Sequence, residues 1–136
     1  MMSFLRSYFL RIYAGERHKG EQDAACLREA LFRTRFLVMI AVTGLGSLSV
    51  VIAGRLSPPA WAALTEHRPV IIAGFVILTF ILAFAIVKRA LVPIRDVPAQ
   101  AQQHSSPRER MLSHVQFWCM LISSILLPVI AGLLLP

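Results

Sequence analysis

Three long runs without a charged side chain dominate the polar and apolar pattern of this chain. Phe36 to Gly54 reads FLVMIAVTGLGSLSVVIAG, and Val70 to Val87 reads VIIAGFVILTFILAFAIV. The third, Met111 to Pro136, carries no formal charge and a lone imidazole, His114. A soluble bundle helix would present one apolar stripe and one polar face, and these runs do not. At 1.5 Å per residue the middle run is roughly 27 Å long, close to the roughly 30 Å hydrocarbon core of a bilayer. Lipid offers no hydrogen bonds, so the backbone must satisfy itself, which selects helices. The pattern predicts an all-α integral membrane protein with spans at 36–54, 70–87 and 111–136. Pro69 stands at the start of the second span, where a missing N–H costs nothing.

The remaining segments are 1–35, a short loop at 55–69 and a longer loop at 88–110. At 100° per residue, Phe4, Leu5, Tyr8, Phe9, Ile12 and Tyr13 share one face. Arg6, Ser7 and Arg11 take the other, with Leu10 at the boundary. This predicts an amphipathic helix lying in the membrane interface, rings among the headgroups and arginines toward anionic lipid. Phe4, Arg6, Tyr8, Phe9 and Arg11 are the candidate lipid-anchoring residues, joined by Trp61 from the 55–69 loop. The arginines interrupt the apolar stretch too early for a cleaved signal peptide. Asp23 is a candidate cap for a second helix, which nothing interrupts before Phe36. AGERHKGEQ, with Gly15 and Gly20, reads as a hinge between the two helices. The 88–110 loop has Pro93, Pro98 and Pro107 and a QAQQHSS tract, and reads as extended or mobile. It holds no aromatic residue for base stacking, which speaks against a nucleic-acid partner.

Composition sharpens this picture. Of 136 residues 57% are hydrophobic and 15% charged, where a soluble domain is about 25% charged; the mean hydropathy is +0.67. The net charge of +7 is unevenly placed. Arg55 and Arg68 are the two basic residues of the 55–69 loop, and the other twelve lie in 1–35 and 88–110. The positive-inside rule then puts the N-terminus in the cytoplasm and the C-terminus outside, in a bacterial inner membrane. The chain is expected to end at the outer surface with Pro136.

The spans hold no carboxylate, lysine or arginine, which argues against ion coupling or a proton relay, and no inverted repeat is visible. Cys26 and Cys119 form no CxxC pattern, and the four histidines lack metal or haem spacing. No cofactor and no enzymatic activity are expected. Thr43, Gly44, Gly46 and Ser47 give the first span a small-residue face suited to close helix packing. In the third span Gln116, Cys119 and Ser123 form one polar stripe, and Pro128 should bend the helix. The small residues of the first span suit packing within the chain, and Gln116 suits a partner helix. The second span reads as facing lipid.

The combined expectation is a non-catalytic accessory or scaffold subunit of a larger secretion, respiratory or envelope assembly. It would act through helix packing with other membrane subunits and through anionic headgroups. A holin-like pore, or a quinone- or haem-associated anchor using His114, Arg108 and Arg110, is the alternative. The charge asymmetry predicts that reporters fused at residue 20 and within 99–105 behave as cytoplasmic, and one fused after residue 136 as external. A cytoplasmic reading for the last fusion overturns the orientation.

Overall fold

The computed structural model describes residues 1–57, 59, 62, 66–92, 94 and 96–134, and the Trp61 expectation falls outside them. Among the described residues the named elements are all helices: α1 (Met2–His18), α2 (Asp23–Leu56), α3 (Arg68–Leu91), α4 (Val97–Gln102) and α5 (Pro107–Leu134). Three of them, α2, α3 and α5, are long and apolar enough to cross a membrane.

α2 is one unbroken helix of 34 residues, because no glycine or proline interrupts Asp23 to Thr43. The segment before Phe36 and the first apolar run therefore form a single rod. The turn before it is tighter than the expected hinge. α1 continues through Gly15 to His18, and the chain reverses at Lys19–Gln22. Gly20 makes that reversal with φ +87°, a conformation that other residues rarely adopt. Asp23 does not cap α2. It is the first helical residue, and its Oδ1 accepts the Tyr13 hydroxyl at 3.1 Å.

α2 is also the middle helix. It packs against both α3 and α5, and α3 and α5 make no contact with each other among the described residues. The three form an open layer. Gly44 and Gly46, two residues and therefore about 200° apart on the helix, serve its two sides. A Cβ on Gly44 would lie 2.5 Å from the Ser124 Cβ and 2.7 Å from its Cα, so α5 comes to backbone contact there. A Cβ on Gly46 would enter the Phe75 ring of α3. These residues pack the chain against itself, as close small-residue contacts allow. From α3 the stripe Thr79, Ala83, Val87 and Ala90 is buried at helical spacing, so this helix has one protein-facing stripe beside its otherwise exposed surface. The Thr79 hydroxyl is satisfied by the Phe75 carbonyl at 2.8 Å.

Pro128 lies inside α5 and has no N–H to offer the carbonyl of Ser124 four residues earlier. Gly44 meets α5 at that same residue. At the far end, Arg55 Nη2 donates to the Gly132 carbonyl at 2.7 Å. A cation there suits the negative end of a helix.

The 88–110 loop is not wholly extended. Val97–Gln102 forms a short helix, with Asp96 Oδ1 accepting from the Ala99 N–H at 3.2 Å. Pro98 sits in its first turn, where proline is tolerated, and Ala101 is buried against the core.

Overpacking a tight contact costs typically about 1–3 kcal/mol. Gly44→Ala should therefore lower the thermal midpoint in mild detergent by several degrees. Gly74→Ala, whose added Cβ meets nothing within 4 Å, should leave it unchanged or raise it slightly. Equal effects would mean that the α2–α5 contact is not close.

Candidate functional site

The polar chemistry of the chain gathers where α1 meets the basic ends of the long helices. α1 contacts α2, α3, α4 and α5, running from the last turn of α3 to the first turn of α5. Its apolar face is wider than the periodicity suggested: Leu5, Tyr8, Phe9, Leu10, Ile12, Tyr13 and Ala14 are all buried. Tyr8 is 1% exposed, Phe9 2% and Tyr13 2%. The reading of Tyr8 and Phe9 as headgroup anchors is thus corrected: the long helices and α4 supply enough apolar surface to cover them. Relative to water, full burial of a ring such as Phe9 is worth about 1.5–3 kcal/mol. Phe4 is half-buried and stacks on Tyr8 with centroids 6.4 Å apart.

The two arginines of this helix also turn inward. Arg6 Nε donates to the Ala90 carbonyl at 2.7 Å, capping α3. Arg11 bonds the Glu109 carboxylate through Nε, and through Nη1 the Gln116 Oε1 at 3.0 Å. The amide oxygen of Gln116, a residue expected to seek a partner helix, therefore has its donor within the chain. Sequence periodicity showed which side of α1 is charged but not that carboxylate and amide acceptors stand opposite.

Glu109 lies two residues before the apolar run of α5. The hydrogen bond from Arg11 holds its carboxyl below the ordinary carboxylate range, against the opposing effect of burial, and His104 adds to the lowering. His104 Nδ1 lies 3.4 Å from the carboxylate. Nearby, Glu16 is shared by Lys19 at 2.9 Å and Arg33 at 3.4 Å, and Arg33 also pairs with Glu29 at 2.7 Å. Between these groups a recess of about 340 Å³ is lined by Gly15, Arg110 and His114, among others. The two tyrosines, Tyr8 and Tyr13, both have raised pKa values. Burial is the main cause in each, and the hydrogen bond to Asp23 adds to it at Tyr13.

The other expected interface residues are spread along the layer. Gly44 is buried, Gly46 and Ser47 are half-buried, and Thr43 is exposed. On α5, Cys119 and Ser123 are exposed and Pro128 half-buried. His114 is exposed, and His18 closes α1. Among the described residues no three His, Cys, Asp or Glu side chains converge to hold a metal. Residues missed at the sequence level are Glu109, as the carboxylate that Arg11 binds, and Arg35, whose guanidinium lies 4.7 Å from the centroid of the Phe84 ring. Compared with known families, curated proteins and solved structures, the chain matches none.

Tyr8 and Tyr13 are the sole tyrosines, so tyrosinate absorbance reads the docking of α1 directly. A raised folded pKa leaves stability intact below the unfolded value of 10.0 and removes it as pH climbs from there through the folded value. Both rings should titrate above 10.0 in the detergent-solubilised protein and return to it on unfolding. Titration at 10.0 throughout would place them at a wet surface instead.

Proposed function

We propose that this chain is a non-catalytic accessory or scaffold subunit of a larger membrane assembly, embedded through α2, α3 and α5. The observation that carries the reading is the open layer. α3 and α5 each touch α2 but not one another, so most of their surface awaits either lipid or another helix. On α5, Cys119 and Ser123 stand at i and i+4 on the exposed side, a small-residue spacing that lets a second helix approach closely. The rest of that side is large and apolar, with Val115, Ile122 and Leu126 prominent. A single-pass partner or another subunit's span fits such a face.

The orientation that accompanies this reading has α1, α4 and the basic ends in the cytoplasm of a bacterial cell, with the inner membrane as the site. Its support is the placement of twelve of the fourteen basic residues in 1–35 and 88–110. α1 then lies at the inner surface, its buried side bound to the long helices and its outer side toward headgroups.

Extraction of the full-length protein from its native membrane in mild detergent should yield a particle far above 15.1 kDa that contains other membrane proteins. Ser123→Leu should release those proteins while the chain remains folded. Recovery as a monomer in several mild detergents would overturn the reading, and recovery as a homo-oligomer with vesicle leakage would favour a pore.

A further inference from the structure

We propose that the groove between α2 and α3 at their basic ends is a specific site for one anionic phospholipid, with Arg35 as the headgroup ligand. The groove encloses about 250 Å³, and its lining includes Phe32, Phe36, Met39, Phe80 and Phe84 around Arg35. Four of these rings are exposed: Phe32 63%, Phe36 43%, Phe80 56% and Phe84 53%. A second recess continues it along α2, sharing Phe32 and Arg35 and adding Arg28. One trough therefore has aromatic walls running from Phe32 to Phe80, with Arg35 among them and Arg28 toward its outer end.

Both arginines lack an acidic partner. Among the described residues neither Arg28 nor Arg35 forms an ion pair, although Arg11, Arg17 and Arg33 all do. Arg35 packs on the Phe84 ring, and its Nε is sealed from outside without a hydrogen-bond partner. A buried N–H left unpaired carries its full desolvation penalty. The guanidinium as a whole has no acceptor among the described residues, and a phosphate oxygen meeting its partly exposed side is the acceptor that guanidinium geometry suits best.

The depth fits the same occupant. Arg35 directly precedes the apolar run of α2, and its neighbour Phe84 lies four residues inside Lys88 on α3. That is roughly 6 Å along the helix toward the membrane centre. A guanidinium at this level lies just beneath the headgroup plane, where a lipid phosphate meets it, while an acyl chain descends past Met39 and Phe80. Free phosphate would gain nothing from four rings. A second copy of the chain would bring like charge, since each carries +7. Charge and apolar shape together select an anionic amphiphile. The inference does not rest on the scaffold reading and stands or falls separately from it.

The test uses the full-length protein, delipidated in mild detergent and titrated with phosphatidylglycerol, phosphatidylcholine or inorganic phosphate. Native mass spectrometry reads the bound lipid, and the thermal midpoint reads stabilisation. Phosphatidylglycerol should bind and stabilise, with phosphatidylcholine and phosphate both much weaker. Arg35→Gln should weaken it roughly tenfold, as loss of a charge-assisted bond does, and Arg35→Lys should recover part. Arg28→Gln, at an exposed position that does not threaten the fold, should weaken it several-fold. Arg89→Gln, an exposed basic residue outside the groove, should change little. Equal binding of phosphatidylcholine, stabilisation by phosphate alone, or equal losses for Arg28→Gln and Arg89→Gln would each overturn the proposal.

Discussion

The arrangement depends on α2 meeting a different neighbour on each side. Gly44 admits the α5 backbone at Ser124, and Gly46 admits the Phe75 ring of α3. Because these glycines point to nearly opposite sides, the neighbours cannot close round into a bundle. A three-helix bundle buries a common axis; this layer buries two seams. Its core therefore concentrates elsewhere, under α1, where Tyr8, Phe9 and Tyr13 join Cys26, Ala30 and Leu37 of α2. The order of the long helices and the position of the core are two results of one packing geometry.

Polar groups obey the same economy of position. Each long helix has a charged or amide group at its basic end, and α1 brings arginines to two of them. Arg6 bonds the Ala90 carbonyl in the last turn of α3, and Arg11 joins Glu109 and Gln116 on α5. Ion pairs at an exposed surface contribute little, but Arg11 is only 12% exposed on its side chain, so its loss would take the donor from the Gln116 oxygen and leave Glu109 with His104 alone. α1 thus acts as a clasp across all three long helices, two of which, α3 and α5, do not touch each other.

Much of this was legible in the sequence, and the limits were physical. Charge-free runs mark helices because lipid forbids unpaired backbone, and Phe36–Gly54 falls within α2 for that reason. Amphipathicity identified α1 but not what it faces. A ring at Tyr8 is equally at home among headgroups or under another helix, and the choice depends on neighbours distant in the chain. The helix at Val97–Gln102 was hidden because prolines read as breakers, although Pro98 occupies a tolerated first-turn position. Gln116 looked costly only while Arg11, 105 residues away, was out of view. The small stripe of α3 at Thr79, Ala83 and Val87 was present as spacing. The bulk of Ile, Leu and Phe around it masked the signal.

The continuity of α2 has a mechanical meaning. At 34 residues it measures roughly 51 Å, well beyond the roughly 30 Å of hydrocarbon. It has no flexible joint between Asp23 and Thr43. It joins the core beneath α1 to the seam at Gly44 without a break. Past that seam the same rod ends where Arg55 holds the Gly132 carbonyl of α5. One continuous backbone thereby fixes the contacts at the two ends of the middle helix relative to each other.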